Sequence, residues 1–141
     1  NLFVGAHQTA NTVATENNLY EGVAGLTLDI GPVSLGYANS GVSTGQEAAS
    51  EVDWYKNSMY GVAFNINDDL SVSYGFHKSR KGFVNPGVNE AVELDMTSWQ
   101  IAYSIGGASI RYADTDVTNG AYQTNSGYDK GAQVLSVSLA F

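Results

Sequence analysis

Apolar and polar residues alternate along most of the chain, and this two-residue period is typical of β-strands. No window of useful length carries the i, i+3, i+4, i+7 apolar spacing of an amphipathic helix. The opening Leu2–Ala6 predicts part of one strand, and seven further segments alternate clearly. These predicted strands are Tyr20–Ile30, Val33–Ser40, Trp54–Ile66, Leu70–Lys78, Ser98–Ile105, Ala108–Ala113 and Lys130–Phe141.

The connections between the predicted strands are short and long in turn. The short ones have the composition of tight hairpin turns: Gly31-Pro32, Asn67-Asp68-Asp69 and Gly106-Gly107. Long polar segments join the other pairs, at 7–18, 41–53, 79–91 and 114–129. An up-and-down sheet would then carry all its long loops at one end, which is typical of outer-membrane barrels and has no reason in a soluble sandwich.

The alternation gives the predicted strands two unlike faces. One face is apolar, as in Tyr60, Val62 and Phe64, whereas the other consists mostly of Ser, Gly, Ala and Asn. A soluble β-protein would instead have a dry core on one face and charged residues on the other. Small polar side chains suit the wall of a wide, water-filled lumen. The pattern therefore predicts an all-β, antiparallel, up-and-down transmembrane β-barrel with its apolar face toward lipid.

On five predicted strands the apolar face ends in an aromatic residue on the side away from the short turns, and the next residue on that face is polar. Membrane barrels have aromatic girdles at this boundary, although aromatic residues also favour strands in general. The apolar band spans five to seven residues on most strands, fewer than the 9–11 expected for a tilted crossing. The predicted girdle residues are Tyr37, Tyr60, Phe76, Trp99 and Tyr112.

Composition narrows the functional classes. A length of 141 residues fits a single domain, 1–141. Fourteen acidic against six basic residues give a net charge of −8, and the lack of a basic run argues against nucleic-acid binding. The absence of cysteine excludes disulfides, thiolate nucleophiles and cysteine-based metal sites. Because Asn1 opens the chain without Met or a leader, we expect a processed or partial chain.

The C-terminal third resembles the end of the general porins of alphaproteobacteria. The resemblance is strongest over Met96–Phe141, through the stretch Trp99–Ile110 followed by Asp114 and Asp116, and through the terminal Ser138-Leu139-Ala140-Phe141. It is pattern-level over Leu19–Arg80. The final strand is similar to the pattern that outer-membrane assembly machinery recognises, in Phe141, Leu139, Val137 and Leu135.

The resemblance implies a sixteen-stranded barrel, of which this chain supplies seven or eight strands. It also implies a homotrimer in the bacterial outer membrane that passes ions and small hydrophilic solutes by diffusion, without a cofactor. The inward-folded constriction loop of such porins belongs to the N-terminal half, so no counterpart is expected in this chain. If the 141 residues are the whole protein, a small eight-stranded barrel with a structural or adhesive role is the alternative.

Candidate functional residues are the ionisable and amide groups on the polar face, because pore width and lining charge determine channel selectivity. Arg111 belongs either to a basic wall of the pore or to a structural pair. His77 is of interest because histidine changes charge nearest to neutral pH, although such residues are more often simply hydrogen-bonded. Lys56, Lys78, Arg80 and Lys81 are expected outward or at the rim, where they suit lipopolysaccharide phosphates. The predicted pore-lining residues are Arg111, His77, Lys130, Gln100, Asn57, Asn65 and Glu21.

Metal binding and catalysis have little support in the sequence. The acidic groups at Asp114–Asn119 and Asp68-Asp69 lack the twelve-residue calcium-loop pattern, so calcium is only a weak alternative. His7 and His77 are the two histidines, and no hydrolase, metalloprotease or phosphate-loop motif is present. We therefore predict a protein that is not an enzyme. An outer-membrane enzyme using His77 with Ser79 and a soluble β-sandwich binding module are the remaining alternatives.

Overall fold

The computed structural model describes residues 1–13 and 16–139 of the chain. These residues form a single eight-stranded sheet in which every strand pairs antiparallel with the next one along the chain. The predicted all-β, up-and-down antiparallel fold is therefore confirmed, and the described residues contain eight strands. They are β1 (Leu2–Thr9), β2 (Leu19–Ile30), β3 (Val33–Ser43), β4 (Val52–Asn65), β5 (Leu70–Phe83), β6 (Val92–Ile105), β7 (Ala108–Thr118) and β8 (Lys130–Leu139).

Helical structure in the described part of the chain is limited to two 3-10 turns, Gly120–Tyr122 and Ser126–Tyr128, between β7 and β8. Neither is long and apolar enough to cross a membrane. The predicted absence of amphipathic helices agrees with this finding.

Several strands extend further toward the long loops than the sequence predicted. β5 runs on to Phe83 instead of ending at Lys78, and β6 begins at Val92 instead of Ser98. On β5 both faces are polar from Lys78 to Lys81, and on β6 the alternation inverts, with Val92, Leu94 and Met96 on the face that is polar elsewhere. The backbone ladder continues through this region, as in the pairing of Arg80 with Glu93. Strands β2 to β7 thus contain 11–14 residues, enough for a tilted membrane crossing even though the apolar band is shorter.

The three short turns lie at one end of the sheet, as predicted. Gly31 and Gly106 adopt left-handed φ values of 57° and 56°, which glycine tolerates without a steric penalty. In the β4–β5 turn the Asn67 side-chain oxygen accepts hydrogen bonds from the backbone N–H groups of Asp69 and Leu70, both at 2.9 Å. Side-chain bonding of this kind is a common reason for Asn in turns.

Within residues 1–13 and 16–139 no apolar side chain is buried, so this sheet has no hydrophobic core of its own. Leu139, Val62 and Ile101 remain 58%, 40% and 37% exposed instead of meeting in a dry interior. These residues form one sheet, with no second sheet packed on it and no ladder joining β8 to β1. A two-sheet sandwich, one of the alternatives, does not describe this arrangement.

Candidate functional site

The strand register puts all seven predicted lining residues on one face, called here the polar face. Residues opposite each other in an antiparallel pair project to the same side of the sheet. One row crosses four strands from Asn65 through Ser71 and Ala102 to Arg111. Parallel rows contain the other six positions: Glu21 with Lys81, Asn57 with Ser79, His77 with Lys130, and Gln100 with Ser73.

The opposite face, called the apolar face, carries the predicted aromatic residues, and these contact one another. The ring centroids of Tyr37 and Tyr60 are 5.5 Å apart, and those of Tyr60 and Phe76 are 5.6 Å apart, both in stacked geometry. Trp99 and Tyr112 are tilted, with centroids 5.2 Å apart. Cross-strand aromatic contacts of this kind stabilise a sheet beyond simple burial.

The aromatic row does not follow the strand register straight across the sheet. Tyr37, Tyr60 and Phe76 lie directly opposite one another, but Phe76 lies opposite Thr97, two residues from Trp99. Trp99 in turn lies opposite Asp114, two residues from Tyr112. The row therefore shifts by four residues over four strand pairings, always toward the short turns. With a rise of about 3.3 Å per residue and a strand spacing of about 4.8 Å, the row makes an angle of about 35° with the line perpendicular to the strands. If the row lies level in a plane, the strands are therefore inclined by about 35° from the normal to that plane.

A band of hydrogen-bonded polar side chains begins where the apolar face ends. Ser58 donates to Asn39 at 2.7 Å, and Gln133 donates to Asp114 at 2.9 Å. Between them Lys78 forms a 2.7 Å ion pair with Glu93 and lies 3.7 Å from Asp95. The change from apolar to polar side chains is therefore continuous across the sheet rather than peculiar to single strands.

Three basic residues lie on the apolar face beyond this boundary. Lys56 and Arg80 are directly opposite each other on β4 and β5, and both lie against the ring of Trp54, at 4.5 and 6.0 Å from its centroid. Lys78 is the third. The sequence analysis grouped Lys81 with them, but Lys81 lies opposite Tyr55 and so belongs to the polar face.

Arg111 is the fourth residue of β7 and so lies nearer the short turns than the mid-strand position predicted. It lines a concave part of the polar face together with Asn65, Ser71 and Ala102. Within the described residues its guanidinium forms neither a salt bridge nor a side-chain hydrogen bond. The structural-pair interpretation of Arg111 thus finds no partner in this part of the chain.

The β7–β8 loop folds over the polar face, a feature that the sequence analysis did not predict. The Tyr122 hydroxyl is 2.6 Å from the Ser79 hydroxyl on β5, and its ring centroid is 5.7 Å from that of Tyr55 on β4. Ser79 donates to the side-chain oxygen of Asn57 at 2.5 Å, so its remaining role is as acceptor of the Tyr122 proton. Asn57 continues the chain of hydrogen bonds to Ser40 at 3.0 Å.

Ser79 is, in the described parts of the chain, the one polar side chain that is buried, with 3% of its surface exposed. On its own face it lies directly opposite Asn57 and Leu94, with His77 and Lys81 on either side along β5. Tyr122 of the loop adds a contact with its hydroxyl.

The loop has an unusual local backbone geometry. Asn119, Ala121 and Tyr122 all have left-handed φ values of 55–56°, which Asn tolerates but which cost about 1 kcal/mol or more at Ala121 and Tyr122. The Asn119 N–H donates to Asp129 at 2.9 Å, and its side-chain amide donates to the Glu93 carbonyl at 2.8 Å. At Gly120 a Cβ would lie 2.5 Å from the Tyr128 carbonyl oxygen, so a larger residue does not fit. These contacts compensate for the unfavourable backbone conformation.

The suggested Ser79–His77 pair does not form, because the Ser79 hydroxyl is occupied by Asn57 and Tyr122. His77 Nε2 is buried without a hydrogen-bond partner within the described residues. His7 Nε2 lies 3.1 Å from the Thr9 hydroxyl. The described part of the chain contains no cluster of three or more His, Cys, Asp or Glu side chains arranged to hold a metal ion.

The residues of the predicted C-terminal recognition strand lie on the apolar face of β8. Leu135, Val137 and Leu139 are opposite Tyr112, Ile110 and Ala108, and all three are exposed. Phe141, the last member of this set, lies outside the described residues. Comparisons of the chain with protein-family models, curated proteins and solved structures found no match.

Proposed function

We propose that this chain is part of a porin, a β-barrel channel in the bacterial outer membrane that passes ions and small hydrophilic solutes by diffusion. The observation that carries the proposal is a sheet with one exposed apolar face, one face of small polar residues and, in its described part, no buried apolar side chain. Lipid acyl chains would cover the apolar face, and a column of water would solvate the polar face.

The inclined aromatic row supports a membrane barrel. Strands of such barrels are tilted by about 35–45°, and their aromatic girdles lie level at the two interfaces. An untilted sheet would have its aromatic residues directly opposite one another on every strand. The four-residue shift across β3 to β7 is what a level girdle on tilted strands requires.

The sheet edges favour a large barrel over the small eight-stranded alternative. A closed eight-stranded barrel would pair β8 with β1, and within residues 1–13 and 16–139 no such pairing is present. A free strand edge invites pairing with a further strand. Additional strands, up to the sixteen that the resemblance implies, would close the barrel, and a homotrimer is the assembly that the resemblance suggests.

The mechanism is size-limited diffusion, in which pore width and lining charge set the selectivity and no chemical step takes place. Gln100, Asn57 and Asn65 would provide polar, uncharged wall, while Glu21, Lys130 and Arg111 would provide charge. His77 belongs to the same wall. Arg111 forms no ion pair in the described residues and would attract passing anions, against the opposing charge of Asp68 and Asp69, which line the same concave part of the face.

Outer-membrane lipid and lipopolysaccharide are the proposed partners of the apolar face. Lys56 and Arg80 are like charges directly opposite each other on neighbouring strands, and Glu93, opposite Arg80 on its other side, is paired with Lys78. A phosphate group of lipopolysaccharide just beyond the aromatic row would reduce the repulsion between Lys56 and Arg80. The outer-membrane assembly machinery is the proposed partner of β8.

Planar-bilayer recording tests the channel proposal. The native protein, folded into lipid vesicles and then fused with the bilayer, should give stepwise conductance in potassium chloride. Protease protection of the strands in the same vesicles would show that insertion has occurred. Inserted protein that produces no conductance steps would overturn the porin proposal and favour a structural or adhesive barrel.

A further inference from the structure

We propose that the β7–β8 loop forms a constriction of the channel and that Lys81, rather than Arg111, sets the charge selectivity there. This inference rests on the proposed channel function. The inward-folded loop was expected only in a missing N-terminal half, yet residues 119–129 of this chain already reach across the polar face.

The reach of the loop is the first argument. Tyr122 follows β7 in sequence, but its hydroxyl and ring contact Ser79 on β5 and Tyr55 on β4, so the loop passes over β6. In a barrel these positions line the lumen near the long-loop end. Ser79 is 3% exposed, and the Tyr122 hydroxyl is one of the groups in contact with it, together with Asn57 on the neighbouring strand.

The fixed position of the loop is the second argument. Its base is closed by the hydrogen bonds of Asn119 to Asp129 and to the Glu93 carbonyl, and its tip by the contact of Tyr122 with Ser79. Ser79 is itself held by Asn57, and Asn57 holds Ser40. The tip is thus attached to a hydrogen-bond chain that runs over three strands.

The charge at this level is the third argument. The Lys81 ammonium lies 5.0 Å from the Tyr122 ring and 5.3 Å from the Phe83 ring, and in the described residues no carboxylate forms a salt bridge with it. Glu21 is the acidic residue in the same cross-strand row, three strands away. A cation beside the loop therefore faces the narrowed opening without a neutralising partner.

Arg111 lies at a different depth. At the level set by the aromatic row, Tyr112 on β7 corresponds to Phe76 on β5, so Arg111 corresponds to Gly75. That position is four residues from Ser79, or about 11 Å of depth on strands inclined by about 35°. The two cations can therefore be compared by equal charge reversals at two depths of the same face.

Reversal potentials under a potassium chloride gradient are the first measurement. Lys81→Glu should shift the reversal potential toward cation selectivity by more than Arg111→Glu does. Tyr122→Ala should raise single-channel conductance above that of the native channel, because removing the ring widens the opening beside the loop. Tyr122→Phe, which keeps the ring and loses the hydroxyl, should fall between Tyr122→Ala and the native channel.

Cysteine labelling provides a readout that needs no conductance, because the native chain contains no cysteine. Ser79→Cys in vesicle-inserted protein should react slowly with a water-soluble maleimide. Adding Tyr122→Ala should increase the rate by about fivefold, the change in open population that one net hydrogen bond supports. Ser73→Cys, on the same strand and face but outside the loop contacts, should react equally with and without Tyr122→Ala.

The outcomes separate the two proposals. A conducting native channel with equal shifts for Lys81→Glu and Arg111→Glu, and with unchanged conductance in Tyr122→Ala, overturns the constriction and leaves the porin proposal standing. An inserted but silent native protein overturns both, even if Ser79→Cys is shielded as expected. Equal labelling of Ser79→Cys with and without Tyr122→Ala overturns the loop position itself.

Discussion

Arginine placed on either face of β5 tests which face meets lipid. Val72 lies on the apolar face, opposite Phe64 and Ile101, and four residues from Phe76 in the aromatic row. On strands inclined by about 35°, four residues correspond to about 11 Å of depth. That depth is close to the midplane of an apolar zone about 25 Å tall, where an arginine costs about 2–4 kcal/mol. Val72→Arg should therefore lower the free energy of unfolding by that amount in vesicles.

Two matched variants separate lipid exposure from a local packing defect. Ser73→Arg, one residue along on the polar face, should cost little because its side chain would enter water. Thr97→Arg, on the apolar face but beyond the aromatic row, should cost about 0–1 kcal/mol because charge is tolerated near the interface. Urea unfolding in phosphatidylcholine vesicles, followed by the fluorescence of Trp54 and Trp99, gives all three values.

An apolar face in contact with water would give a different series. Replacing a half-buried Val would then cost about 1 kcal/mol through lost burial, with no dependence on depth or on lipid. Equal costs for Val72→Arg and Ser73→Arg would refute the assignment of faces. So would a cost for Val72→Arg no larger than that for Thr97→Arg.

Three further changes test individual contacts. Tyr60→Ala removes two stacked ring contacts and should lower the free energy of unfolding by about 1–3 kcal/mol in the same assay. Tyr74→Ala is the control and should cost less, because Tyr74 has no stacked partner in the described residues. Equal losses of stability in the two variants would contradict a stabilising aromatic row. Gly120→Ala places a Cβ against the Tyr128 carbonyl and should displace the loop, so that maleimide labels Ser79→Cys faster. An unchanged labelling rate would show that the loop tolerates the methyl group. Lys56→Glu replaces the cation opposite Arg80 by an anion and should weaken binding of lipopolysaccharide in a flotation assay, with Lys130→Glu on the other face as the control. Equal binding by both variants would exclude the Lys56–Arg80 pair as the phosphate site.

The face of each strand residue was predictable because side chains in a strand alternate strictly. Once Tyr60, Val62 and Phe64 share a side, every residue between them must point the other way. The pairing of Arg111, Ala102, Ser71 and Asn65 in one row follows the same rule. The prediction held wherever one face was apolar, since only there does the sequence distinguish the two sides.

The strand ends and the charge of the rim were less predictable for the same reason. Beyond Lys78 both faces of β5 are polar, so the alternation loses its contrast while the backbone ladder continues to Phe83. Lys81 was predicted, with Lys78 and Arg80, to lie outward or at the rim, a prediction that did not distinguish their faces. Counting parity onward from Phe76 would have put Lys78 and Arg80 on the apolar face and Lys81 on the polar face.

The inward direction of the β7–β8 loop had no signal in the sequence. Asn119-Gly120 predicts a turn, because both residues tolerate left-handed backbone, but a turn can face either way. The contact that decides the direction joins Tyr122 to Ser79, 43 residues earlier in the chain. A tyrosine in a polar loop and a serine in a strand are each ordinary, and only the sheet topology brings them together.

The two faces of the sheet differ in what covers them. On the polar face the cover comes from the chain's own β7–β8 loop. The apolar face needs a covering from outside, because within the described residues nothing in the chain buries Val62, Ile101 or Leu139. Exposed apolar area of this extent drives association in water, and lipid and neighbouring subunits are the surroundings that we propose for it. The polar face needs no such covering, yet its Ser79 is the side chain that the chain does bury, beneath its own loop. Ala121 and Tyr122 hold a strained backbone over a face that needs no covering. Strain of this kind clusters at functional sites. In the proposed channel, the loop would act on the solute that passes along this face.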